Sequence, residues 1–282
     1  MMPKNHRLLL AVPFALLVLS IGILASGYAQ NGEWFRRSIE LRGGTLVAFS
    51  TDSPADAGAI EAGLLQRFDE ISVKQTRGVS GSGFSIQTDA SVDEKAVLDA
   101  LSEMGINVVE YSSQTIGPAL GESFWSQAQL AIIFAFIAMG VVVFLLFRTA
   151  APSIIVIINA FADIIITLAV MQAFGIELSL AALAALLMLL GYSIDTNILL
   201  TARLLKTHET PMRDRMKSAF RTGITMTGTT IGVLIAILLA ASSAVLSQIA
   251  AVLLIGLITD VCLTWMQNAV LLEWYMQRRG IS

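Results

Sequence analysis

Six long apolar stretches constrain what this chain of 282 residues can fold into. Each holds roughly 20 residues, the length that an α-helix needs to cross the hydrocarbon core of a bilayer. Because 55% of the residues are hydrophobic and only 14% are charged, a water-soluble fold could not keep this apolar surface away from water. We therefore predict an α-helical integral membrane protein with six transmembrane helices. The predicted spans are 8–27, 127–147, 153–174, 179–202, 224–245 and 249–272.

The distribution of positive charge predicts how these helices are oriented. Basic residues gather at one set of helix ends, and many of them lie in the loop 203–221 between the fourth and fifth spans. The short loops at the opposite ends, Gly175–Leu178 and Ala241–Gln248, contain only Glu177 as a charged residue. Because loops rich in Lys and Arg stay in the cytoplasm, we predict a multi-pass protein of the cell membrane with both termini cytoplasmic. Residues 28–126 then lie outside the cytoplasm.

These spans divide the chain into three parts. Residues 1–27 form the cytoplasmic N-terminus and the first helix, 28–126 form an extracytoplasmic domain, and 127–282 form a membrane body of five helices. The extracytoplasmic domain is acidic, with 14 Asp and Glu against 7 Lys and Arg, which argues against a nucleic-acid partner. A cleavable signal peptide is the alternative interpretation of the first span. We favour a retained helix, since the apolar core exceeds the roughly 7–15 residues of signal peptides.

Residues 44–116 combine strand and helix patterns in one small domain. The predicted strands are Thr45–Ser50, Ile71–Thr76, Phe84–Thr88 and Ile106–Tyr111. The predicted helices are Pro54–Phe68 and 92–104. Ser53 is the expected N-cap of the first helix, and Ser91 with Glu94 is expected to form a capping box at the second. The order β-α-β-β-α-β predicts one α+β ferredoxin-like domain between the first and second transmembrane helices.

Three carboxylates lie within the predicted spans, namely Asp163, Asp195 and Asp260. An ionisable side chain at the centre of a bilayer costs about 2.5–3.5 kcal/mol on insertion scales, so each needs a partner or a functional role. Other polar and small residues repeat at helical spacing and should face the bundle interior or a partner, because lipid forms no hydrogen bonds. These stripes comprise Asn159, Asp163 and Thr167 in the third span, Arg221, Thr225, Gly228 and Gly232 in the fifth, and Gly256, Asp260, Thr264 and Gln267 in the sixth.

Five of the intramembrane polar residues are candidates for a functional site. For Asp163 and Asp195 we favour a functional role, since hydrogen bonds between helices rarely require an ionisable group. For Asp260 a functional and a structural role are equally supported. Asn197 belongs to the same polar cluster of the fourth span as Asp195, and Arg221 is either a counter-ion or a snorkelling anchor. A carboxyl group that takes up a proton changes its charge and can bias a conformational equilibrium.

The cytoplasmic loop before the fifth span contains a further helical pattern that begins at Thr210-Pro211. We predict a short amphipathic helix that lies on the membrane surface. Its apolar side comprises Met212, Met216 and Phe220, and its basic side comprises Arg213, Arg215 and Lys217.

Short motifs also occur along nearly the whole chain. They are Gly43-Gly44-Thr45, Gly117-Pro118, Asp163-x-x-x-Thr167, Gly191-Tyr192-Ser193 and Arg221-Thr222-x-x-Thr225. In this order they resemble the SecF subunits of the SecD–SecF protein-export complex, a branch of the RND superfamily. Ala162 stands where bacterial members have His, and Asp195-Thr196-Asn197 stands where they have Asn-Asp-Thr. The chain is therefore most similar to an archaeal-type SecF.

This resemblance implies a protein translocase subunit rather than an enzyme. Members of the family pair with SecD, associate with a SecYE-type translocon channel and assist export of unfolded polypeptides. Their external domains are thought to handle the emerging chain, while the membrane body, surrounded by lipid, uses the proton gradient. We hypothesise that Asp163 and Asp195 form the proton-responsive core, with Arg221 as a counter-charge.

Two other functions stay open at this point. A stand-alone RND-type half-transporter for small molecules or lipids would have the same spans, but a half-unit needs a second half, either SecD-like or a copy of itself. A purely scaffolding subunit would tolerate amide replacement of Asp163 and Asp195. The sequence shows no phosphate-binding loop, metal-ligand cluster or nucleophile–base pair, so we expect no catalytic residue, cofactor or metal.

Overall fold

The computed structural model describes residues 6–52, 55–68, 71–77, 82–206, 211–241 and 243–278. In chain order its elements are α1 (His6–Asn31), α2 (Ile39–Arg42), β1 (Gly44–Thr51), α3 (Ala57–Leu64), β2 (Ile71–Arg77), β3 (Ser82–Thr88), α4 (Glu94–Glu103), β4 (Val108–Ile116), α5 (Pro118–Phe147), α6 (Ala150–Ala173), α7 (Leu180–Lys206), α8 (Met212–Ala240), α9 (Ala244–Leu263) and α10 (Ala269–Arg278). One π-helical turn, Thr264–Asn268, joins α9 to α10. The long helices form a membrane body, and the strands with α3 and α4 form a small domain attached to it.

Six of the described helices are long and apolar enough to cross a membrane, as the sequence predicted. They are α1, α5, α6, α7, α8 and the continuous helix made of α9 and α10. Helix α5 begins at Pro118, ahead of the apolar run that starts at 127, because Gly117 occupies the N-cap and Pro suits the first helical position. Helices α6, α7 and α9 pack against one another and supply much of the buried core of the body.

The predicted amphipathic surface helix is wrong in its extent and position. Residues from Met212 onward form the first turns of α8, which runs without a break to Ala240. Arg215 is only 4% exposed, and its Nη1 donates a hydrogen bond of 2.8 Å to the carbonyl oxygen of Leu204. The carbonyl groups at the C-terminal end of α7 stabilise a cation there, which draws Arg215 away from water. Thr210 lies outside the described residues.

The small domain contains one antiparallel sheet with strand order β2-β3-β1-β4. Alternate side chains of the strands point to one face of the sheet, where α3 and α4 cover them. The core of this domain includes Val47, Phe49, Val73, Phe84 and Ile86 from the strands and Ile60, Leu64, Val97 and Leu101 from the helices. The opposite face of the sheet turns towards the membrane body and lines a cleft of about 620 Å³.

The cap of α4 differs from the prediction. Asp93, rather than Ser91, is the N-cap, and Glu94 accepts a hydrogen bond from Ser113 instead of closing a capping box. The backbone N–H of Ser91 donates to Oδ1 of Asp89 at 2.8 Å, so Ser91 belongs to the turn before the helix. This hydrogen bond lowers the pKa of the Asp89 carboxyl group.

Other bounds of the small domain also differ from the sequence-based ones. Strand β4 runs on to Ile116, well past Tyr111, because backbone pairing with β1 requires no apolar side chains. The first helix, α3, starts after an Asp56 N-cap whose side chain accepts from the N–H of Ala59. The predicted N-cap at Ser53 lies outside the described residues.

Glycines of two sequence motifs meet where the small domain joins the membrane body. Gly43 has a φ of +86°, a conformation that favours glycine, and a Cβ there would lie 2.7 Å from Cα of Pro118. A Cβ on Gly121 would lie 2.4 Å from the backbone nitrogen of Gly43. The start of α5 therefore packs directly against the backbone that leads into β1.

We expect Gly121→Ala to destabilise this joint by about 1–3 kcal/mol, because the added methyl group must displace backbone atoms. Gly22→Ala is the matched control, since Gly22 also lies within a helix and nothing lies within 4 Å of a Cβ at that position. Of the two variants, only the one at Gly121 meets backbone atoms. Thermal unfolding in detergent, followed by size-exclusion chromatography, should give a lower midpoint for Gly121→Ala only. Equal midpoints for the two variants would show that the joint is not closely packed.

Candidate functional site in the membrane body

One face of α6 brings polar side chains into the centre of the membrane body. Asn159, Asp163 and Thr167 follow one another at a spacing of four, and none of them is more than 1% exposed. The predicted stripe is confirmed, and it points inward. Neither carboxylate oxygen of Asp163 has a hydrogen-bond partner, and neither has the hydroxyl of Thr167.

Asp260 of α9 is fully buried in the same region. Its Oδ1 accepts hydrogen bonds from Oγ of Ser193 at 2.5 Å and from Oγ1 of Thr264 at 3.1 Å, while its Oδ2 has no partner. No cation forms an ion pair with Asp163 or Asp260 among the described side chains. A buried carboxylate must be paired or neutralised, and uptake of a proton neutralises it.

Asn197 of α7 connects these helices. Its Nδ2 donates to the carbonyl oxygen of Ser193 at 2.7 Å. Its Oδ1 accepts hydrogen bonds from Nδ2 of Asn159 and from Oγ1 of Thr264, each at 3.4 Å, and a further one from Nδ2 of Asn268. We refer to these buried residues of α6, α7, α9 and the π turn as the intramembrane polar network. It comprises Asn159, Asp163, Ser193, Asn197, Asp260, Thr264 and Asn268.

The π turn carries three buried polar side chains of the sixth span, Thr264, Gln267 and Asn268. Adjacent residues of an α-helix point about 100° apart. Gln267 and Asn268 are both buried here, as are Thr259 and Asp260 in α9, and the N–H of Ala269 bonds to the carbonyl oxygen of Thr264, which widens the turn by one residue. Such turns occur frequently at functional sites. Sequence reasoning missed it, although two adjacent amides in an apolar span were a usable signal.

Asp195 does not join the network. Ser193 and Asn197 point inward from α7, whereas Asp195 is exposed on the outer surface of that helix. Arg221 of α8 is exposed as well, and it forms no ion pair with Asp195 in the part of the chain that the structure describes. The structure therefore does not bring Asp163, Asp195 and Arg221 together into one core.

Asp195 and Arg221 are each exposed on their own helix, and we refer to these two exposed sides together as the α7–α8 face. It comprises Met188, Gly191, Tyr192 and Asp195 on α7, and Arg221, Thr225, Gly228 and Gly232 on α8. A Cβ on Gly223 would lie 3.5 Å from Cγ2 of Thr196, so the two helices touch there and place Asp195 and Arg221 at a similar depth. The small residues of this face do not serve packing within the chain, because a Cβ on Gly228 or Gly232 would meet nothing within 4 Å.

The remaining motif residues lie at the joint rather than in the membrane core. Gly44 has a φ of +145°, and a Cβ there would lie 2.7 Å from the carbonyl oxygen of Thr88. The hydroxyl groups of Thr45 and Thr115 form a hydrogen bond of 3.1 Å between β1 and β4. Among the described residues, no group of three His, Cys, Asp or Glu side chains is placed to hold a metal ion.

Comparison with known proteins shows which family has this sequence and architecture. The family described as protein export membrane protein SecD/SecF, C-terminal, matches residues 96–278. The protein-export membrane protein SecF of Pyrococcus furiosus is 39% identical over 280 residues, which cover 98% of this chain and 93% of that protein. The chain belongs to the SecD/SecF family of protein-export membrane proteins. SecF of Methanolacinia petrolearia is 36% identical, with 96% of this chain and 94% of that protein covered.

A solved structure shows the same fold. The crystal structure of SecDF from Thermus thermophilus, described as a translocon-associated membrane protein, matches 96% of this SecF-family chain with a TM-score of 0.76 and 22% identity. The chain spans only 38% of that longer SecDF chain. The family and the archaeal type of SecF that the motifs indicated are thus confirmed.

Proposed function

We propose that this SecF-family chain is one half of a complex with a SecD subunit, and that the complex assists Sec-dependent export of unfolded polypeptides. The observation that carries this proposal is the exposed Asp195 in the middle of a transmembrane helix. An acidic side chain that faces lipid costs about 2.5–3.5 kcal/mol at the bilayer centre, so the α7–α8 face needs a protein partner. SecDF of Thermus thermophilus, in which this fold occupies 38% of the chain, supports SecD as that partner.

The chemistry of the α7–α8 face suits a transmembrane helix of SecD. Gly228 and Gly232 lie one turn apart and are open, which allows the backbone of another helix to approach closely. Asp195 and Arg221 then become buried at the new interface, where a partner can pair or hydrogen-bond each charge. In this arrangement Arg221 serves the interface rather than the intramembrane polar network.

The small domain offers a second contact for the same partner. We assign it to the ferredoxin-like class on the strength of its element order and its strand order β2-β3-β1-β4. Strand β4 is an edge strand, and nearly all of its residues are exposed. A long exposed edge invites pairing with another strand, so we propose that β4 is covered in the complex.

We further propose that the network uses the proton gradient. Asp163 and Asp260 are buried, and no cation of the described part of the chain pairs with them, so their charge state depends on protons that reach the bundle. A change in that charge alters the hydrogen bonds among α6, α7 and α9, and the helices move relative to one another. The basic helix ends support cytoplasmic termini in the cell membrane, with the small domain outside and near the SecYE-type translocon channel.

Purification from membranes in mild detergent tests the partner. We expect a SecD chain to copurify with the wild-type protein, and Asp195→Leu to reduce its recovery about tenfold or more, because the leucine is soluble in lipid and removes the charge that requires a partner. The variant should keep its own thermal stability in detergent. Phe161→Leu, a lipid-exposed change outside the α7–α8 face, is the matched control and should retain SecD.

Two results would contradict this assignment. Recovery of the chain only as a homo-oligomer would favour the stand-alone half-transporter with a copy of itself as the second half. Full recovery of SecD with Asp195→Leu would leave the complex in place and show that its interface lies elsewhere.

A further inference from the structure

The short connection between α6 and α7 holds the small domain, the start of α7 and the start of α9 together. It lies at the outer ends of the two helices that carry Asp163, Ser193 and Asn197. Its contacts therefore link the intramembrane polar network to the external sheet. Glu177 lies at the centre of these contacts and has no role in the network itself.

Glu177 joins the connection to two strands of the sheet. Its Oε1 accepts a hydrogen bond from Nζ of Lys74 on β2 at 2.7 Å, and its Oε2 accepts one from Nε2 of Gln87 on β3 at 2.9 Å. Lys74 also donates to the carbonyl oxygen of Gly175 at 3.3 Å. The side chain of Glu177 is only 12% exposed, so this ion pair is screened less than a surface pair would be.

The same connection is tied to α9, the helix of Asp260. Nε2 of Gln248 donates to the carbonyl oxygen of Glu177 at 2.9 Å, and its Oε1 accepts from Oγ of Ser179 at 2.8 Å. Ser179 also caps α7, because its Oγ accepts from the N–H of Ala182 at 3.0 Å. A shift of α7 or α9 along its axis must therefore move Glu177.

Hydrogen bonds also attach the connection between α6 and α7 to the segment that precedes β1. The N–H of Ser38 donates to the carbonyl oxygen of Leu178 at 2.9 Å, and the N–H of Leu178 donates to the carbonyl oxygen of Arg36 at 2.8 Å. Oε2 of Glu40 accepts a hydrogen bond of 2.7 Å from the N–H of Leu180, the first residue of α7. These bonds anchor the connection at one point, while Lys74 and Gln87 transmit its movement to β2 and β3.

We infer that Glu177 is a positioning residue that couples the intramembrane polar network to the cleft beneath the sheet. Lys74, Gln87, Glu177 and Gln248 all line this cleft of about 620 Å³. A movement of α7 and α9 that pulls on Glu177 changes the distance between the sheet and the membrane body, and thereby the width of the cleft. This role of Glu177 rests on the proposed use of the proton gradient in export. Glu177 transmits the movement of α7 and α9 from the membrane body to the sheet.

Export measured with and without a proton gradient tests this coupling, in cells whose own SecF is replaced by each variant. Glu177→Gln and Lys74→Gln should lower the gradient-stimulated part of export about fivefold or more. Export after collapse of the gradient, and copurification of SecD, should stay at the wild-type level. The exchanged pair, Lys74→Glu with Glu177→Lys, should restore part of the stimulation, because the amide of Gln87 can accept as well as donate, whereas the bond from Lys74 to the carbonyl oxygen of Gly175 is lost.

Glu103→Gln is the matched control, since it removes an ion pair with Arg67 within the same domain whose side chains are more than half exposed. Glu103→Gln should change neither the gradient-stimulated part of export nor the export that continues after collapse of the gradient. Normal stimulation in Glu177→Gln would overturn the role of Glu177 and leave the proposed function intact. A wild-type protein without any gradient-stimulated export would overturn both the coupling and the proposed use of protons.

Discussion

Asp163→Asn is expected to abolish most of the gradient-dependent stimulation of export while the chain still folds and assembles. The amide has nearly the shape of the carboxyl group, but it cannot take up or release a proton and so cannot change its charge. Allosteric coupling free energies of the usual size correspond to a fall of roughly 5- to 150-fold in the coupled effect. Pulse-labelling of a secreted protein, followed by measurement of its processing rate, detects this fall.

Asp99→Asn is the matched control for Asp163→Asn, because it makes the same chemical change at an exposed position of α4. Its export rate should equal that of the wild type. Copurification of SecD with Asp163→Asn verifies that assembly is intact. A normal export rate for Asp163→Asn would support the scaffolding alternative, in which the carboxylates tolerate amide replacement.

The largest effect on stability is expected for Asn197→Leu. The leucine removes the common acceptor of Asn159, Thr264 and Asn268. The amide of Asn268 then has no other acceptor among the described contacts, whereas Asn159 keeps a bond of 3.5 Å to Thr264, and Thr264 keeps its bond to Asp260. Each unsatisfied group costs about 1–3 kcal/mol in protein interiors, although hydrogen bonds in membranes average nearer to about 0.6 kcal/mol. The variant should therefore unfold in detergent at a clearly lower temperature than the wild type.

Thr201→Val is the control for this prediction. Thr201 lies one turn further along α7 and is fully buried, but its hydroxyl has no hydrogen-bond partner. Replacing an unpartnered hydroxyl with a methyl group should change the unfolding midpoint little. Equal losses of stability in the two variants would show that burial, rather than the hydrogen bonds of Asn197, determines the result.

The inward stripes on α6 and α9 were predictable because lipid leaves polar side chains few alternatives. The spacing of Asn159, Asp163 and Thr167 places them on one side of a helix, and a buried side is the one that can satisfy most of them. The outward position of Asp195 was also accessible from the sequence. Residues two apart in a helix point about 200° apart, so Asp195 and Asn197 cannot both face the same core.

Other parts of the site depend on contacts that spacing does not contain. The side chains of Thr264 and Asn268 in the π turn bond to Asn197 of α7, and Arg215 of α8 bonds to the carbonyl oxygen of Leu204 near the end of α7. The central position of Glu177 depends on strands that lie about a hundred residues earlier in the chain. Such long-range contacts are set by the tertiary fold, so a helix or strand pattern gives no indication of them.

The most direct measurement is the export rate of the purified complex with SecD, reconstituted with the translocon channel in vesicles, with and without an imposed proton gradient. If the buried carboxyl groups of this SecF-family chain use protons to assist export, the gradient should raise the rate for the wild type and not for Asp163→Asn. Equal rates with and without the gradient for the wild type would contradict proton coupling, and an equal response of the two proteins would place it outside the intramembrane polar network.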